Sequence, residues 1–488
     1  MGRTAKNGAA KGIFWSAVER FSVQGAQFLM DLVIARIVLP EEYGLVAMLA
    51  IFRAVAQTFI DSGFGSALIQ KKDRSDVDFS TVFYFNTGIS MLMYLLLFLA
   101  APHIASFYNI PELSLITRVI GVTLIINSLG IVQQARITID LDFKKLAAAS
   151  LSGVIAGGVT GIVLAYLDYG VWALVVQNIV SNVVRVAVLW VVSRWKLTLA
   201  FSFRSFKSLF SFGSKLLLST LLHTVYTNIY SLIIGKKYAA SELGFYNRAY
   251  TLANFPSTNF TSVIDRAVYP VFCRHQDEKL KSNELFLRYM KMACYVIFPV
   301  MTALAAVAGP LIRVVLTDVW LPAVPFLRIM CVAFMWDPVM RLNHSIINAR
   351  GRSDYFLMAE VIKKIAGILI LVATVPLGIT VMCIGLIVYS FADMGIIIFF
   401  NRKVTGLGWL RQARELAPLV ILAFVMGGIM YGVVWLLDGM HPLVQLAAGG
   451  VSGILFYWAA SKLFKLDEFT LLLSVLRRKT GRGETIEL

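Results

Sequence analysis

About fourteen long apolar runs make up most of this sequence and leave little chain between them. A membrane-spanning helix needs about 20 predominantly apolar residues, and 58% of the 488 residues are hydrophobic. We therefore predict an all-α polytopic membrane protein with about fourteen transmembrane helices. The predicted spans are 13–37, 41–66, 79–101, 113–134, 148–167, 170–192, 209–235, 245–272, 286–308, 322–347, 355–375, 378–400, 414–437 and 442–461.

The positions of the basic residues explain the formal charge of +17. On a soluble protein this charge would suggest a nucleic-acid partner, but here the basic residues are divided among many short loops, so we exclude that partner. With the N-terminus inside, about 28 of the 45 Lys and Arg residues fall in inner segments and about 4 in outer loops. By the positive-inside rule, both termini are predicted to be cytoplasmic.

The segments between the spans are too short to form a catalytic domain. The longest, near 193–208 and 273–285, reach only about fifteen residues. The sequence has no GxxxxGK[ST] phosphate loop, so we expect no ATP coupling. Its four cysteines lack metal-site spacing, so we expect neither a metal site nor disulfides. The chain is predicted not to be an enzyme, with no cofactor except a coupling ion, for which H⁺ and Na⁺ both remain open.

An internal repeat at an offset of about 200 residues indicates two copies of a six-helix unit in the same orientation, with two helices appended. Chance similarity between apolar segments is the alternative interpretation. The predicted divisions are an N-terminal lobe at 1–200, a C-terminal lobe at 201–405, the last two spans at 406–465 and a cytoplasmic tail at 466–488. The matching pairs are Ile34 and Ile234, Arg36 and Lys236, Glu42 and Glu242, Gly44 and Gly244, Arg136 and Arg350, and Gly170 and Gly378.

Polar stripes follow three spans of the first half. A charge at the centre of a span costs about 2.5–3.5 kcal/mol on insertion scales, so each such residue is a candidate for a functional role. The stripes have the spacing of one helix face and predict a wet cavity whose cations suit an anionic substrate. They comprise Arg20, Gln24, Gln27 and Asp31 in the first span, Arg53, Gln57 and Asp61 in the second, and Asn178, Asn182 and Arg185 in the sixth.

The second half also carries polar residues within its spans. Asp337 and Arg341 have the i,i+4 spacing of an ion pair, which would either lock the helix or line a cavity. His223 stands alone on an apolar helix, a position more typical of a hydrogen-bonded core residue. Glu19, Asp31, Asp61, Asp265 and Asp337 are candidate carriers of ion coupling. Cations near span ends are expected to reach the lipid headgroups: Lys215, Arg248, Arg288, Lys291, Lys363 and Lys364.

Three local motifs resemble those of the polysaccharide transporter family. They are LPEEYG at 39–44, DSGFGSALIQ at 61–70 and SELGFYNRAY at 241–250. This family contains the O-antigen, colanic-acid and teichuronic-acid type flippases of the multidrug/oligosaccharidyl-lipid/polysaccharide superfamily. The resemblance implies a V-shaped carrier with two lobes in the bacterial cytoplasmic membrane. Such a carrier moves undecaprenyl-diphosphate-linked oligosaccharide to the outer leaflet for O-antigen, capsule or exopolysaccharide assembly.

The resemblance also implies a cationic central cavity that faces the diphosphate sugar. By helix and depth, Arg20 and Arg53 would line it, and Arg266 would join them from the eighth span. The implied partners are the lipid-linked oligosaccharide, the lipid bilayer, and a polysaccharide polymerase with its export machinery.

Two other functions remain open on the sequence alone. A cation-coupled multidrug antiporter of the same superfamily would favour acids over arginines in the first-half cavity, so Arg20 and Arg53 weigh against it. A membrane glycosyltransferase or polysaccharide polymerase would need acidic catalytic motifs in sizeable loops, which this sequence lacks.

Overall fold

The structure of the chain is a computed structural model that describes residues 22–61, 63–71, 73–195 and 197–470. Glu19 and Arg20, two residues predicted at the site, lie outside the described residues. Two short 3₁₀ helices occupy Asp318–Trp320 and Val375–Leu377. The α-helices are α1 (Ser22–Ala35), α2 (Pro40–Met48), α3 (Ala50–Asp61), α4 (Phe64–Gln70), α5 (Asp76–Tyr108), α6 (Glu112–Ser128), α7 (Ile131–Ile139), α8 (Phe143–Tyr166), α9 (Val171–Ser193), α10 (Phe203–Lys237), α11 (Ala240–Arg274), α12 (Lys279–Ala306), α13 (Ala308–Val315), α14 (Ala323–Phe334), α15 (Asp337–Ala349), α16 (Ser353–Thr374), α17 (Ile379–Thr405), α18 (Trp409–Leu436) and α19 (Pro442–Leu463).

The chain is a multi-pass membrane protein, as predicted. Each predicted span overlaps one helix or a run of broken helices. Over the described residues, eleven helical segments are long and apolar enough to cross a membrane. The described part of α1 is too short to be included among these eleven segments, and α11 is too polar to be included. Glu360, Lys363 and Lys364 give α16 too many charges.

Three of the predicted spans are broken within their length. The second span is divided into α2, α3 and α4, the fourth into α6 and α7, and the tenth into α14 and α15. Gly63 has a φ of 71°, a left-handed conformation that favours glycine, and it separates α3 from α4. Pro338 lies in the first turn of α15, where its missing N–H costs nothing. The fourth span of each predicted repeat is therefore interrupted, and a membrane tolerates such breaks only where protein or water satisfies the freed backbone.

The described helices form two compact units, 1–244 and 245–488. In the first unit, α10 packs on α3 and α5, so the boundary falls one span later than the predicted lobe boundary at 200. In the second unit, α12 packs on α18, and α17 packs on α14, α15 and α16. The repeat remains a prediction from sequence, since packing assigns α10 to the first unit.

Glycines allow α8 and α9 to pack closely, as their small-xxx-small spacing predicts. A Cβ added to Gly153 would lie 2.5 Å from the carbonyl oxygen of Ser181. One added to Gly157 would lie 2.6 Å from the carbonyl oxygen of Gln177. Because both contacts involve backbone that cannot rotate away, they fix the position of α9 on α8 and thereby orient the polar face of α9.

The first and third sequence motifs pack against each other where α2 meets the start of α11. A Cβ added to Gly44 would overlap the carbonyl oxygen of Ala240. A Cβ added to Gly244 would overlap the carbonyl oxygen of Pro40. Each glycine therefore lets the other segment's backbone approach, and the two contacts are reciprocal at the repeat offset of 200.

Glu42 of the LPEEYG motif caps two helices. Its carboxylate accepts a hydrogen bond from the N–H of Leu39 at 3.0 Å, which caps α2. It also accepts from the N–H of Val171, the first residue of α9. Gly170, just before α9, has a φ of 54°, and a Cβ there would overlap the Glu42 carboxylate. The motif thus connects α2 to the start of α9, although the two helices are distant in sequence.

We expect Gly44→Ala and Gly244→Ala each to destabilise the protein by about 1–3 kcal/mol, the usual cost of overpacking a tight contact. The added methyl group would force α2 away from the first turn of α11. The apparent melting temperature of the detergent-purified protein measures this loss.

Gly395→Ala is the matched control, because Gly395 lies inside α17 and a Cβ there would have no neighbour within 4 Å. Its melting temperature should stay equal to that of the wild type or rise slightly. A Gly44→Ala protein as stable as the Gly395→Ala protein would contradict the close contact.

Candidate functional site

Three helices of the first unit bring their polar side chains together within the membrane-spanning region. We call this group the arginine cluster: Arg53, Gln57 and Asp61 on α3, Asn127 on α6, and Asn178 and Arg185 on α9. The stripe on α3 and the stripe on α9 were both predicted from their helical spacing. Asp61 is exposed and the other five side chains are partly buried. A solvated group can therefore approach the cluster.

Two sets of side-chain hydrogen bonds connect the helices of the arginine cluster. Arg53 Nη1 donates to Asn178 Oδ1 at 3.4 Å, and Gln57 Nε2 donates to Asp61 Oδ1 at 2.9 Å. Asn127 of α6 connects Gln57 to Arg185 of α9. Its Nδ2 donates to Gln57 Oε1 at 3.5 Å, and its Oδ1 accepts from Arg185 Nη2 at 3.1 Å.

Arg53 is bonded to a neutral amide. Among the described residues, no carboxylate oxygen lies within 4.0 Å of its guanidinium. A guanidinium carries five N–H donors in a planar fork that matches the oxygens of a phosphate or carboxylate. Because its bond to Asn178 uses only one of these, Arg53 retains donors for an anion.

The arginine cluster has an excess of positive charge. Arg53 and Arg185 contribute two cations, and Asp61 contributes one anion, which attracts Arg185. The net charge of the six side chains is therefore +1. In a low-dielectric region such an excess is costly, and an anionic ligand would relieve it.

The polar stripe of the first span is only partly described. Asp31 accepts a hydrogen bond from Gln177 Nε2 on α9 at 3.2 Å. Gln24 Oε1 is buried without a hydrogen-bond partner among the described residues, whereas Gln27 is exposed. The first span is therefore tied to α9 through Asp31. Asn182, the remaining predicted residue on α9, donates to the backbone oxygen of Asn178 at 2.8 Å.

In the second unit, two hydrogen bonds connect α11 to α15. Ser257 Oγ donates to Asp337 Oδ2 at 2.5 Å, and Ser345 Oγ donates to Asp265. The predicted ion pair between Asp337 and Arg341 is wrong: both residues are described, and their charged groups are not within 4.0 Å. The serine of a neighbouring helix binds Asp337 instead, and Arg341 acts on it only over a longer distance.

Two further predicted residues lie at accessible positions. Arg266 follows Asp265 on α11 and is exposed. His223, expected as a hydrogen-bonded core residue, is instead exposed on α10. The next residue, Thr224, faces the protein and shares a hydrogen bond with Thr58 of α3 at 3.1 Å.

Three cations predicted to reach the headgroups bind protein groups instead. Arg248 is only 6% exposed, and its guanidinium lies 5.4 Å from the ring centre of Trp320. Lys291 Nζ lies 3.2 Å from Glu468 and 3.6 Å from Glu415. Lys363 pairs with Glu360 and lies 3.7 Å from Asp393. The snorkelling prediction is wrong for these three, because carboxylates or an aromatic ring of the protein bind their charged groups.

Sequence reasoning did not identify several residues that complete these contacts. Asn127, Gln177, Ser257 and Ser345 are uncharged, so the cost of burying charge does not single them out. A weak signal exists for Asn127, because it is the only amide side chain in α6. Their roles depend on which helices are neighbours, which hydropathy does not give.

The family profile described as "Polysaccharide biosynthesis protein" matches residues 33–325. The chain is 31% identical over 302 residues to the teichuronic acid biosynthesis protein TuaB of Bacillus subtilis, a match that covers 61% of this chain and 62% of that protein. It is 25% identical over 354 residues to the lipopolysaccharide biosynthesis protein WzxC of Escherichia coli, covering 72% of each chain. The match thus spans less than two thirds of TuaB.

Solved structures of low sequence identity share the fold. The lipid II flippase MurJ in an inward closed conformation superposes with a TM-score of 0.72 at 12% identity, covering 93% of this chain and 100% of that one. An inward-facing multidrug resistance MATE family transporter of the MOP superfamily superposes with a TM-score of 0.62 at 15% identity, covering 82% and 99%.

The sequence motifs, the helical membrane architecture and the family profile agree. The profile covers more than half of the chain, from the end of α1 to the start of α14. This multi-pass membrane protein belongs to the polysaccharide biosynthesis protein family.

Proposed function

We propose that the protein is a flippase for undecaprenyl-diphosphate-linked oligosaccharide. It moves this lipid from the inner to the outer leaflet of the bacterial cytoplasmic membrane by alternating access, and it supplies the assembly of a surface polysaccharide. It performs no covalent chemistry. Its family membership and its similarity to the flippase fold of MurJ support this proposal.

The single observation that carries the proposal is the arginine cluster. Arg53 lies within a membrane-spanning segment, bonded to an amide, in a group of six side chains with an excess positive charge. Holding a cation there costs free energy that a transported anion would offset. The diphosphate of a lipid-linked sugar is such an anion, and arginine forks bind its oxygens bidentately.

The remaining side chains of the arginine cluster suit the sugar part of the substrate. Gln57, Asn127 and Asn178 present amide groups that both donate and accept hydrogen bonds, which matches sugar hydroxyls. Asn127 already donates to Gln57 at 3.5 Å, Gln57 donates to Asp61 at 2.9 Å, and Asn178 accepts from Arg53 at 3.4 Å. Exchange of these bonds for bonds to a hydrated glycan therefore requires little change in hydrogen-bond number. The polyprenyl tail stays in the bilayer throughout.

The proposal includes a topology and partners. We propose about fourteen spans with both termini in the cytoplasm, the two lobes at 1–200 and 201–405 being parallel repeats. We also propose that a polysaccharide polymerase and its export machinery receive the flipped lipid. A coupling ion, H⁺ or Na⁺, biases the exchange between inward-open and outward-open states.

Arg53→Gln should abolish most export of surface polysaccharide while leaving the protein in the membrane. Hydrogen bonds to a charged group contribute about 1.5–3 kcal/mol, so the loss should be about 10-fold to 100-fold. Arg53→Lys should retain part of the activity, since it keeps the charge and loses the fork. Surface polysaccharide is measured in the source strain after deletion of the chromosomal copy and complementation.

Arg352→Gln is the matched control, because the Arg352 side chain is exposed in a loop and pairs with Asp354 at 2.7 Å. It should leave export unchanged. Normal export by Arg53→Gln would contradict the site. Efflux of cationic drugs from a sensitised host by the wild-type protein, equally strong in Arg53→Gln, would instead favour the multidrug antiporter.

The topology can be tested at the two ends of α8. In a Cys273→Ser background, Asp140→Cys should be protected in intact cells from a membrane-impermeant thiol reagent, because positive-inside topology places it in the cytoplasm. Tyr169→Cys, 55% exposed at the other end, should be labelled. The other three cysteines are buried and should not react with the reagent. The reverse pattern would contradict the proposed orientation.

A further inference from the structure

A second group of charged side chains lies inside the second unit, where α15, α16 and α17 meet. We call it the carboxylate cluster: Asp337, Arg341 and His344 on α15, Glu360 and Lys363 on α16, and Asp393 on α17. The four side chains nearest its centre are 8–23% exposed. Glu360 and Lys363 lie about 10–15 Å along α16 from its first residue. The group is therefore well inside a helix bundle and not at its ends.

The contacts of the carboxylate cluster converge on Lys363. Its ammonium group pairs with Glu360 and lies 3.7 Å from Asp393 Oδ2. His344 Nε2 lies 3.8 Å from Glu360 Oε1, on the same carboxylate. Glu360 thus stands between a permanent cation and an imidazole that becomes a cation on protonation.

The carboxylate cluster is one proton short of neutrality. It contains three carboxylates and two permanent cations, so its net charge is −1 when His344 is neutral. One added proton brings the group to zero. In a region where an uncompensated charge is costly, this arrangement favours the binding of a single proton.

Two polar atoms of the carboxylate cluster are buried without a hydrogen-bond partner among the described residues: His344 Nε2 and Asp393 Oδ1. Buried polar groups nearly always have partners, so an orphaned pair in one cluster needs an explanation. A proton on His344 Nε2 would turn its contact with Glu360 into a charge-assisted hydrogen bond. It would also weaken the hold of Glu360 on Lys363 and free that ammonium group for Asp393.

The neighbouring groups restrict which ion can bind. No three His, Cys, Asp or Glu side chains are arranged to hold a metal ion in the part of the chain that the structure describes. The Lys363 ammonium already occupies the space between two of the carboxylates. The other titratable group near this face is Tyr250 of α11, which is close to Asp337. A proton fits the cluster, whereas Na⁺ would need several oxygen ligands.

The carboxylate cluster is connected to a helix break and to α11. Asp337 begins α15 directly after the break, accepts from Ser257 of α11, and is repelled by Asp393. Ser345, the residue that directly follows His344, donates a hydrogen bond to Asp265 of α11. A change of charge at His344 therefore acts on the helix that carries Asp265 and Arg266.

We propose that the carboxylate cluster is a proton-binding site that couples proton movement to transport, an inference that rests on the proposed flippase function for the transported substrate. A proton from water binds the lone pair of His344 Nε2, and the imidazolium pairs with Glu360. Lys363 then shifts toward Asp393. Loss of the same proton restores the first arrangement, so the cycle is balanced, and the proton is the coupling ion.

The first experiment measures proton binding by the purified full-length protein in detergent. An acid pulse from pH 7.5 to 5.5 is followed with a pH-indicator dye in lightly buffered solution. His344→Asn and Glu360→Gln should each take up about one proton fewer per chain than the wild type, and the double variant should lose no more than either, because one site is shared. Uptake that is unchanged in both single variants would overturn the inference.

The second experiment measures surface polysaccharide in the complemented deletion strain. His344→Asn and Glu360→Gln should reduce export about tenfold, within the range of typical coupling free energies. His275→Asn is the matched control, because His275 pairs with Glu278 at 2.9 Å in an inner-loop position outside the cluster. It should keep full export.

The outcomes separate this inference from the proposed function. Lost proton uptake with normal export would overturn the coupling. Lost uptake in a protein whose wild type exports no polysaccharide would refute the proposed function and leave the proton site standing. If His344→Asn does not accumulate in the membrane, the nearly isosteric Glu360→Gln and Asp393→Asn variants decide the question in the same two assays.

Discussion

The cost of placing charge in hydrocarbon governs the arrangement of this protein. An ionisable group in a span is costly unless water or a polar group of another helix stabilises it, since lipid offers no partner. The helices that carry such groups therefore meet: α3, α6 and α9 in the first unit, and α15, α16 and α17 in the second. Glycines of α8 add a second constraint, because they allow the backbone of α9 to approach closely.

The two charged clusters differ in sign and in what could neutralise them. The arginine cluster has one excess positive charge and is rich in amides, which suits an anionic, sugar-bearing ligand. The carboxylate cluster has one excess negative charge and a histidine beside Glu360, which suits a proton. In the two proposals, the anionic cargo and the proton have separate sites, one within each unit.

Sequence predicted much of the fold and every side chain of the arginine cluster except Asn127, but only Asp337 and Arg341 of the carboxylate cluster. Hydropathy located the spans because backbone satisfaction in lipid requires long apolar helices, and the 3.6-residue period placed Arg53, Gln57 and Asp61 on one face. Neither pattern indicates which residues on different helices contact each other. Asn127 bonds to Gln57 over 70 residues of sequence, and Lys363 lies beside Asp393 on the next helix. From the sequence, Lys363 is expected to reach the headgroups, because its distance from the end of its own helix is the only available criterion.

The reciprocal contact of Gly44 and Gly244 has the form of an interface between identical chains. In a two-fold homodimer, residue i of one copy touches residue j of the other, and j touches i. Here position 44 contacts position 240 and position 244 contacts position 40, so the same reciprocal relation occurs within one polypeptide chain.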